Sequence, residues 1–121
     1  MPTILIVEDE PDFRTVLPKV LTDLGYEVAT ASDGVHGLQA VMDTPLDLIL
    51  LDWRMPYRDG LQTLRLIRSV QPTTKVIVFS AYMTEAEQAE ARKLGAFDIQ
   101  FKPVSTKILI ESVTNGLEAG P

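Results

Sequence analysis

The chain has 121 residues, 45% of them hydrophobic and 23% charged, enough apolar material for one globular domain with its own core and too much for a disordered segment. A net charge of −6 lacks the Lys and Arg excess that grips a phosphate backbone, so direct nucleic-acid binding is not expected. There is no cysteine, no apolar run of the roughly 18 residues a bilayer demands, and no basic segment in the opening MPTILIVEDE. Disulfides, thiolate metal sites, membrane spans and a secretion signal are therefore not expected, and the composition suits a cytoplasmic protein.

In chain order, TILIVED (3–9) is a short run rich in β-branched residues that ends in acids. From Asp12 to Leu24 the residues Phe13, Val16, Leu17, Val20, Leu21 and Leu24 recur at helical spacing, and Gly25 stops the helix. Pro18 falls inside that helix, where a proline removes one hydrogen bond and costs roughly 3 kcal/mol, so a kink is expected. YEVATA (26–31) alternates as a strand does, and GVHGLQAVM (34–42) reads as a shorter helix weakened by Gly37. The run from Leu46 to Leu51 has the composition of a strand buried on both faces, yet it leads straight into Asp52. LQTLRLIRSV (61–70) is amphipathic, KVIVFSA (75–81) is a fourth buried strand, and Thr84 with Glu87 forms a capping box for a helix reaching Leu94 and stopped by Gly95. FDIQF (97–101) is a fifth strand, Lys102-Pro103 breaks it, and Ser105 opens a last helix to about Leu117. GLEAGP at the end reads as a frayed tail or a linker stub, with one domain over 1–118 and residues 119–121 outside it.

Strands separated by helices cannot pair as hairpins; they imply an α/β fold with a parallel, doubly wound sheet. Ligands of such sheets gather beyond the carboxyl ends of the strands. The pattern brings Glu8 and Asp9, Asp52, Ser80 and Lys102 to that rim. Carboxylates so close repel one another, and a hard cation such as Mg²⁺, which takes oxygen ligands, relieves the repulsion. Cation, ammonium and hydroxyl together favour a tetrahedral dianion, so Asp52 is placed to attack a phosphoryl group and hold it as an acyl phosphate.

From ILIVEDE at the start to KP at 102–103, the whole chain resembles the receiver domain of bacterial two-component response regulators. The resemblance is carried by the acidic pair after the first strand, LLDWRMPYRDG around the acceptor, FSA at the end of the fourth strand, GAFD leading into the fifth, and FKP. It implies a flavodoxin-like (βα)5 sheet in the order 2-1-3-4-5 and a phosphorylation-dependent switch, not an enzyme that turns over a metabolite. Asp52 would accept phosphate from a sensor histidine kinase or phosphotransfer protein. Mg²⁺ would be held by Asp9, Asp52 and the backbone carbonyl of Arg54, with Glu8 placing a coordinating water. Ser80 and Lys102 would contact the phosphoryl oxygens, and the Lys102-Pro103 peptide is expected to be cis. An effector domain or separate target would read the state, with a homodimer through the 84–117 face as one further output. With no effector domain after residue 121, the chain is expected to be a stand-alone receiver or a fragment of a longer regulator.

Other residues read more plainly. Asp59-Gly60 starts a helix, Met55-Pro56 shapes the loop, Trp53 packs or faces a kinase, and His36 is solvated. The Arg and Glu residues of 85–93 form a solvated helix face. Arg54 and Tyr82 are expected to flank the path of hydrolytic water and so to set phosphoryl lifetime. Ile99 stands three residues before the lysine, where family members often carry an aromatic, so switching relies on Ser80, Ala81 and the lightly buried helix 84–94. Three rivals remain. An Asp-nucleophile phosphohydrolase would carry a second Asp where Arg54 stands. A flavodoxin-type nucleotide module needs a Gly- or Ser/Thr-rich loop where VEDEPDF lies. An inactive receiver-like docking module would have no use for Asp9, Asp52 and Lys102.

Overall fold

A computed structural model describes residues 1–54 and 59–119, without the side chains of Asp12 and Arg14. The Met55-Pro56 expectation and the last two residues of the tail lie outside the described residues. The elements are β1 (Thr3–Val7), α1 (Pro11–Asp23), β2 (Glu27–Ala31), α2 (Gly34–Asp43), β3 (Leu48–Asp52), α3 (Gly60–Val70), β4 (Lys75–Ser80), α4 (Glu85–Lys93), β5 (Ala96–Phe101) and α5 (Thr106–Glu118). The strands form one parallel sheet in the order β2-β1-β3-β4-β5, the doubly wound arrangement that the strand-helix rhythm and the resemblance imply.

The three central strands are apolar between their ends because they are buried on both faces, and their residues divide by parity. Ile4, Ile6, Leu48, Leu50, Ile77 and Phe79 join Leu17 and Leu21 of α1 and Leu109 and Val113 of α5. Leu5, Val7, Ile49, Leu51, Val76 and Val78 join Val41 of α2, Leu64 and Ile67 of α3 and Ala91 of α4. The edge strand β2 is mostly exposed, which is why its sequence alternates instead of running apolar. Asp52 continues the parity of Leu48 and Leu50, towards the α1–α5 side; Trp53 belongs to the opposite core.

The helix starts follow local chemistry. Asp33, Asp59, Thr84 and Ser105 each accept a hydrogen bond from the backbone N–H three residues on, and Thr84 with Glu87 completes the capping box. Pro11 takes the first turn of α1, where its missing N–H is not needed, and the helix runs from there through Pro18 to Asp23. Gly25 and Gly95 follow α1 and α4 with φ of 97° and 84°, the left-handed conformation that side chains resist. Gly95 is crowded as well: a Cβ there would meet the Arg68 guanidinium at 3.2 Å. That guanidinium donates to the carbonyls of Leu94 at 2.6 Å, Gly95 at 2.8 Å and Thr74, tying the end of α3 to the end of α4 and the start of β4.

The turn after Asp52 is tightly closed. Trp53 is 1% exposed, its carbonyl accepts the Gly60 N–H at 2.9 Å, and a Cβ on Gly60 would fall 2.6 Å from the indole and 2.8 Å from the Trp53 Cα. Backbone on one side of that contact leaves little room to yield. Gly60→Ala is expected to cost about 2 kcal/mol of stability or more, read as a lower urea midpoint. A wild-type midpoint would show that the segment adapts freely.

Candidate functional site

The sheet order reverses between β1's two neighbours, β2 and β3, so the crossovers leave on opposite faces and a crevice opens at the carboxyl ends of β1 and β3. Ladder hydrogen bonds continue past the strand ends and pin the residues there. Glu8 N–H donates to Ala31 O at 3.0 Å, Trp53 N–H to Phe79 O at 2.9 Å, and Lys102 N–H to Ser80 O at 2.8 Å. The polar side chains at this rim therefore sit on backbone that cannot drift.

Lys102 draws the site together. Its Nζ lies 3.0 Å from Glu8 Oε2, 3.1 Å from Glu10 Oε1 and 3.4 Å from Asp52 Oδ2. It also sits 5.6 and 5.2 Å from the ring centroids of Phe13 and Phe79, which stack on each other at 4.9 Å. The Lys102-Pro103 peptide that follows is cis. Glu8 is fully buried, its Oε1 accepting the Glu10 N–H at 3.0 Å. Its Oε2 accepts no aligned hydrogen bond, so the nearby ammonium serves it as a point charge. Asp52 Oδ1 accepts the Arg54 N–H at 3.2 Å.

Oxygens of Glu8, Asp9 and Asp52 all lie within 4.8 Å of one another. Three hard oxygen donors at that spacing fit a divalent cation of the Mg²⁺ type, and one oxygen of Glu8 is buried without an aligned hydrogen bond. The electrostatics agree. Burial, then the hydrogen bond and like charge of Asp52, push the Glu8 carboxyl up to about 8, against the Glu10 N–H and Lys102. Burial also raises Asp52, opposed by its bonds to Glu8, Lys102 and Arg54. Burial alone would lower Lys102, but Glu8, Asp52 and Glu10 more than reverse it, so the ammonium stays charged. In the absence of a cation the acid pair therefore retains a proton that a cation would replace.

Of the residues singled out in the sequence, Glu8, Asp9, Asp52 and Lys102 converge. Ser80 ends β4 beside them and is fully buried, but its hydroxyl donates to Tyr82 O at 2.9 Å and accepts Tyr82 N–H at 3.2 Å. Tyr82 is 62% exposed, and Ile99 is buried in the core on the α2–α4 side. Asp59 caps α3 as expected, and His36 is exposed, its Nδ1 2.9 Å from the Asp33 carboxylate. The solvated face expected over 85–93 needs correction at Glu87, which accepts from Trp53 Nε1 at 2.7 Å and from the Arg54 guanidinium at 2.8 Å. Side-chain reach across 33 and 34 residues, invisible to helical periodicity, pulls it out of solvent. Glu10 and Phe13 were likewise missed as partners of Lys102; the acidic run EDE was the one available signal for Glu10. Surface hollows of 470 and 560 Å³ lie at the opposite end of the sheet, around Arg68, Thr74 and Gln71, and hold none of these residues.

Between pH 4.5 and 8 the folded chain holds a proton at Glu8 that the unfolded chain has released, and the raised Asp52 acts with the same sign. Stability in the absence of divalent cations should therefore fall as pH rises through that window. Urea midpoints in chelator are expected to drop between pH 5 and pH 8 for wild type and to drop less for Glu8→Gln, which keeps only the contribution of Asp52. A wild type that gains stability over the same range would refute the retained proton.

The response regulator receiver domain family matches residues 4–114. The transcriptional regulatory protein ZraR of Klebsiella oxytoca is 38% identical over 101 residues, covering 84% of this chain and 23% of its own length. GlrR of Escherichia coli, also a transcriptional regulatory protein, is 34% identical over 115 residues, 95% of this chain and 26% of its own. The chain thus spans about a quarter of the length of these curated relatives. A response regulator receiver domain protein from Methanospirillum hungatei superposes with a TM-score of 0.94 at 26% identity, covering 98% of this chain and 94% of that one. The response regulator TrrA of Thermotoga maritima, solved in complex with Mg²⁺ and BeF, has a TM-score of 0.85 at 32% identity, covering 97% of this chain and all of that one, 100%. By sequence and by fold, the chain belongs to the response regulator receiver domain family.

Proposed function

We propose that Asp52 accepts a phosphoryl group from a phosphohistidine, in a Mg²⁺-dependent reaction, and that the acyl phosphate changes what the domain binds. The observation that carries this reading is the convergence of Asp52 with Glu8, Asp9 and Lys102 at the sheet's switch point. A carboxylate oxygen of Asp52 forms the new O–P bond as the P–N bond to imidazole breaks, and the imidazole nitrogen leaves with the electron pair. Asp9, Asp52 and the Arg54 carbonyl would hold the cation, with Glu8 orienting a water on it. The cation's contribution is neutralisation of charge on the transferring oxygens. Lys102, already charged and nearly enclosed, turns its ammonium to a phosphoryl oxygen. The Ser80 hydroxyl rotates from Tyr82 to donate to another. Water later attacks phosphorus and returns Asp52 to its carboxylate, with Arg54 and Tyr82 beside that path.

The donor would be a sensor histidine kinase or phosphotransfer protein, and the setting cytoplasmic; among the described residues no helix is long and apolar enough to cross a membrane. Residues 1–118 would act as the receiver, with 119–121 as tail or linker. An effector domain or separate target would read the switch, and a homodimer through the 84–117 face is supported by the exposed Phe101 and Ile108. An inactive docking module is the second reading; it would leave the cation-sized acid cluster without a use.

Intact-mass spectrometry after incubation with a small phosphodonor and Mg²⁺ tests the acceptor. Wild type is expected to gain one phosphoryl group, and neither Asp52→Asn nor chelated wild type should gain any. An equal gain in Asp52→Asn would overturn the assignment, and no gain in wild type from small donor or kinase would favour the docking module. Mg²⁺ at ten times its Kd should also stabilise the unphosphorylated fold by about 1.4 kcal/mol through mass action, seen as a rise in Tm.

A further inference from the structure

One carboxylate, that of Glu87, joins the acceptor turn to the start of α4. Its Oε2 accepts from the indole Nε1 of Trp53 at 2.7 Å. Its Oε1 accepts from the Arg54 guanidinium at 2.8 Å and from the Thr84 backbone N–H at 3.0 Å. Trp53 and Arg54 are the two residues that follow Asp52, and the Arg54 N–H donates to Asp52 Oδ1. The indole is buried, so its N–H needs this acceptor, and no other hydrogen bond from it is found among the described residues. Glu87 in turn is held by the capping box, which ties its position to the helix and not to a flexible rotamer.

We propose that Glu87 is a positioning residue for the acceptor: by gripping the side chains of Trp53 and Arg54 it orients their peptides against Asp52, and thereby sets the affinity of the acidic site for Mg²⁺. The inference rests on the preceding reading that Arg54 offers its carbonyl to that site. Both side-chain bonds are charge-assisted, and the Thr84 N–H, the indole and Arg54 hold the Glu87 carboxyl below its ordinary range, so it stays ionised at neutral pH. Coupling of this kind is reciprocal. If the seating of α4 governs the cation's affinity, then occupation of the acid site shifts α4 by the same free energy.

Glu87→Gln isolates the effect. Glutamine also serves in a capping box, so the helix keeps its start. Its one oxygen, however, cannot serve the indole, the guanidinium and the Thr84 N–H together. Glu90→Gln is the control: it removes the same charge one turn further on, from exposed contacts of 3.8 and 3.9 Å to Arg65 and Lys93. Mg²⁺ is titrated into wild type and both variants, following the emission of Trp53, the only tryptophan, with calorimetry alongside. Glu87→Gln is expected to alter the emission of the cation-free protein and to weaken Mg²⁺ binding about tenfold, the scale on which partners behind a metal ligand act. Glu90→Gln should stay within about twofold, as suits a screened surface charge. A Glu87→Gln titration that coincides with that of Glu90→Gln would overturn the proposal. Phosphoryl uptake by wild type, measured in parallel, separates the two readings: failure there refutes the acceptor, while the Mg²⁺ titration still decides Glu87.

Discussion

The ammonium of Lys102 is what allows this sheet to end in acids. Glu8 and Asp52 stand at the rim of a core that is apolar on both faces, and neither has water enough to carry its charge alone. Lys102 reaches both and Glu10 besides, from a backbone position fixed by its ladder bond to Ser80, with Phe13 and Phe79 along its side. Each of those supports depends on the topology. β5 lies next to β4, β4 next to β3, and the reversal at β1 brings Glu8 to the same opening. A sheet wound in another order would scatter the same residues over different edges.

The partners of Lys102 are not equivalent. Glu8 and Asp52 are enclosed, whereas the side chain of Glu10 is 60% exposed. Breaking the Lys102–Glu10 contact returns a carboxylate to water at little cost, while breaking the contact to Glu8 would strand a buried group. In the proposed reaction, an incoming phosphoryl oxygen would most cheaply take the place of Glu10. Lys102 could then engage phosphate without releasing Glu8, so the site would gain a dianion while its buried charges keep their partner.

Much of this was readable from the sequence because the signals are local. A strand buried on both faces is apolar at every position, as in Leu48–Leu51, and a capped helix announces itself through Asp59, or through Thr84 with Glu87. Placing Glu8, Asp9, Asp52 and Lys102 at one rim needed only the strand ends and the rule that parallel strands point the same way. Contacts between side chains far apart in sequence left no such trace. Arg68 looks like a surface residue at the end of an amphipathic helix, yet it spends its guanidinium on the carbonyls of Leu94, Gly95 and Thr74. Glu87 satisfies its cap signal and has a second use, for Trp53 and Arg54, that no periodicity encodes. The Ser80 hydroxyl could be placed at the rim but not aimed, since its choice of Tyr82 depends on the turn that follows.

These contacts bear on how α4 could move without an aromatic at position 99. The only buried residue of α4 is Ala91, so little apolar area resists displacement of its body. Its two ends are held by polar contacts instead: Arg68 grips the carbonyls at the C-terminal end, and Glu87 fastens the N-terminal end to the turn after Asp52. Ser80 holds the backbone of Tyr82, two residues before the Thr84 cap, by two neutral hydrogen bonds worth about 1 kcal/mol each. A hydrogen bond from the same hydroxyl to a phosphoryl oxygen is charge-assisted and roughly twice as strong as a neutral one, so it offsets the two bonds given up and the exchange costs little. Tyr82 would then lose its internal partner at the end of the helix where Glu87 holds Trp53 and Arg54, while Arg68 keeps the far end in place. The motion expected of such a helix is a pivot about its C-terminal end, with the displacement greatest at the Thr84–Glu87 turn.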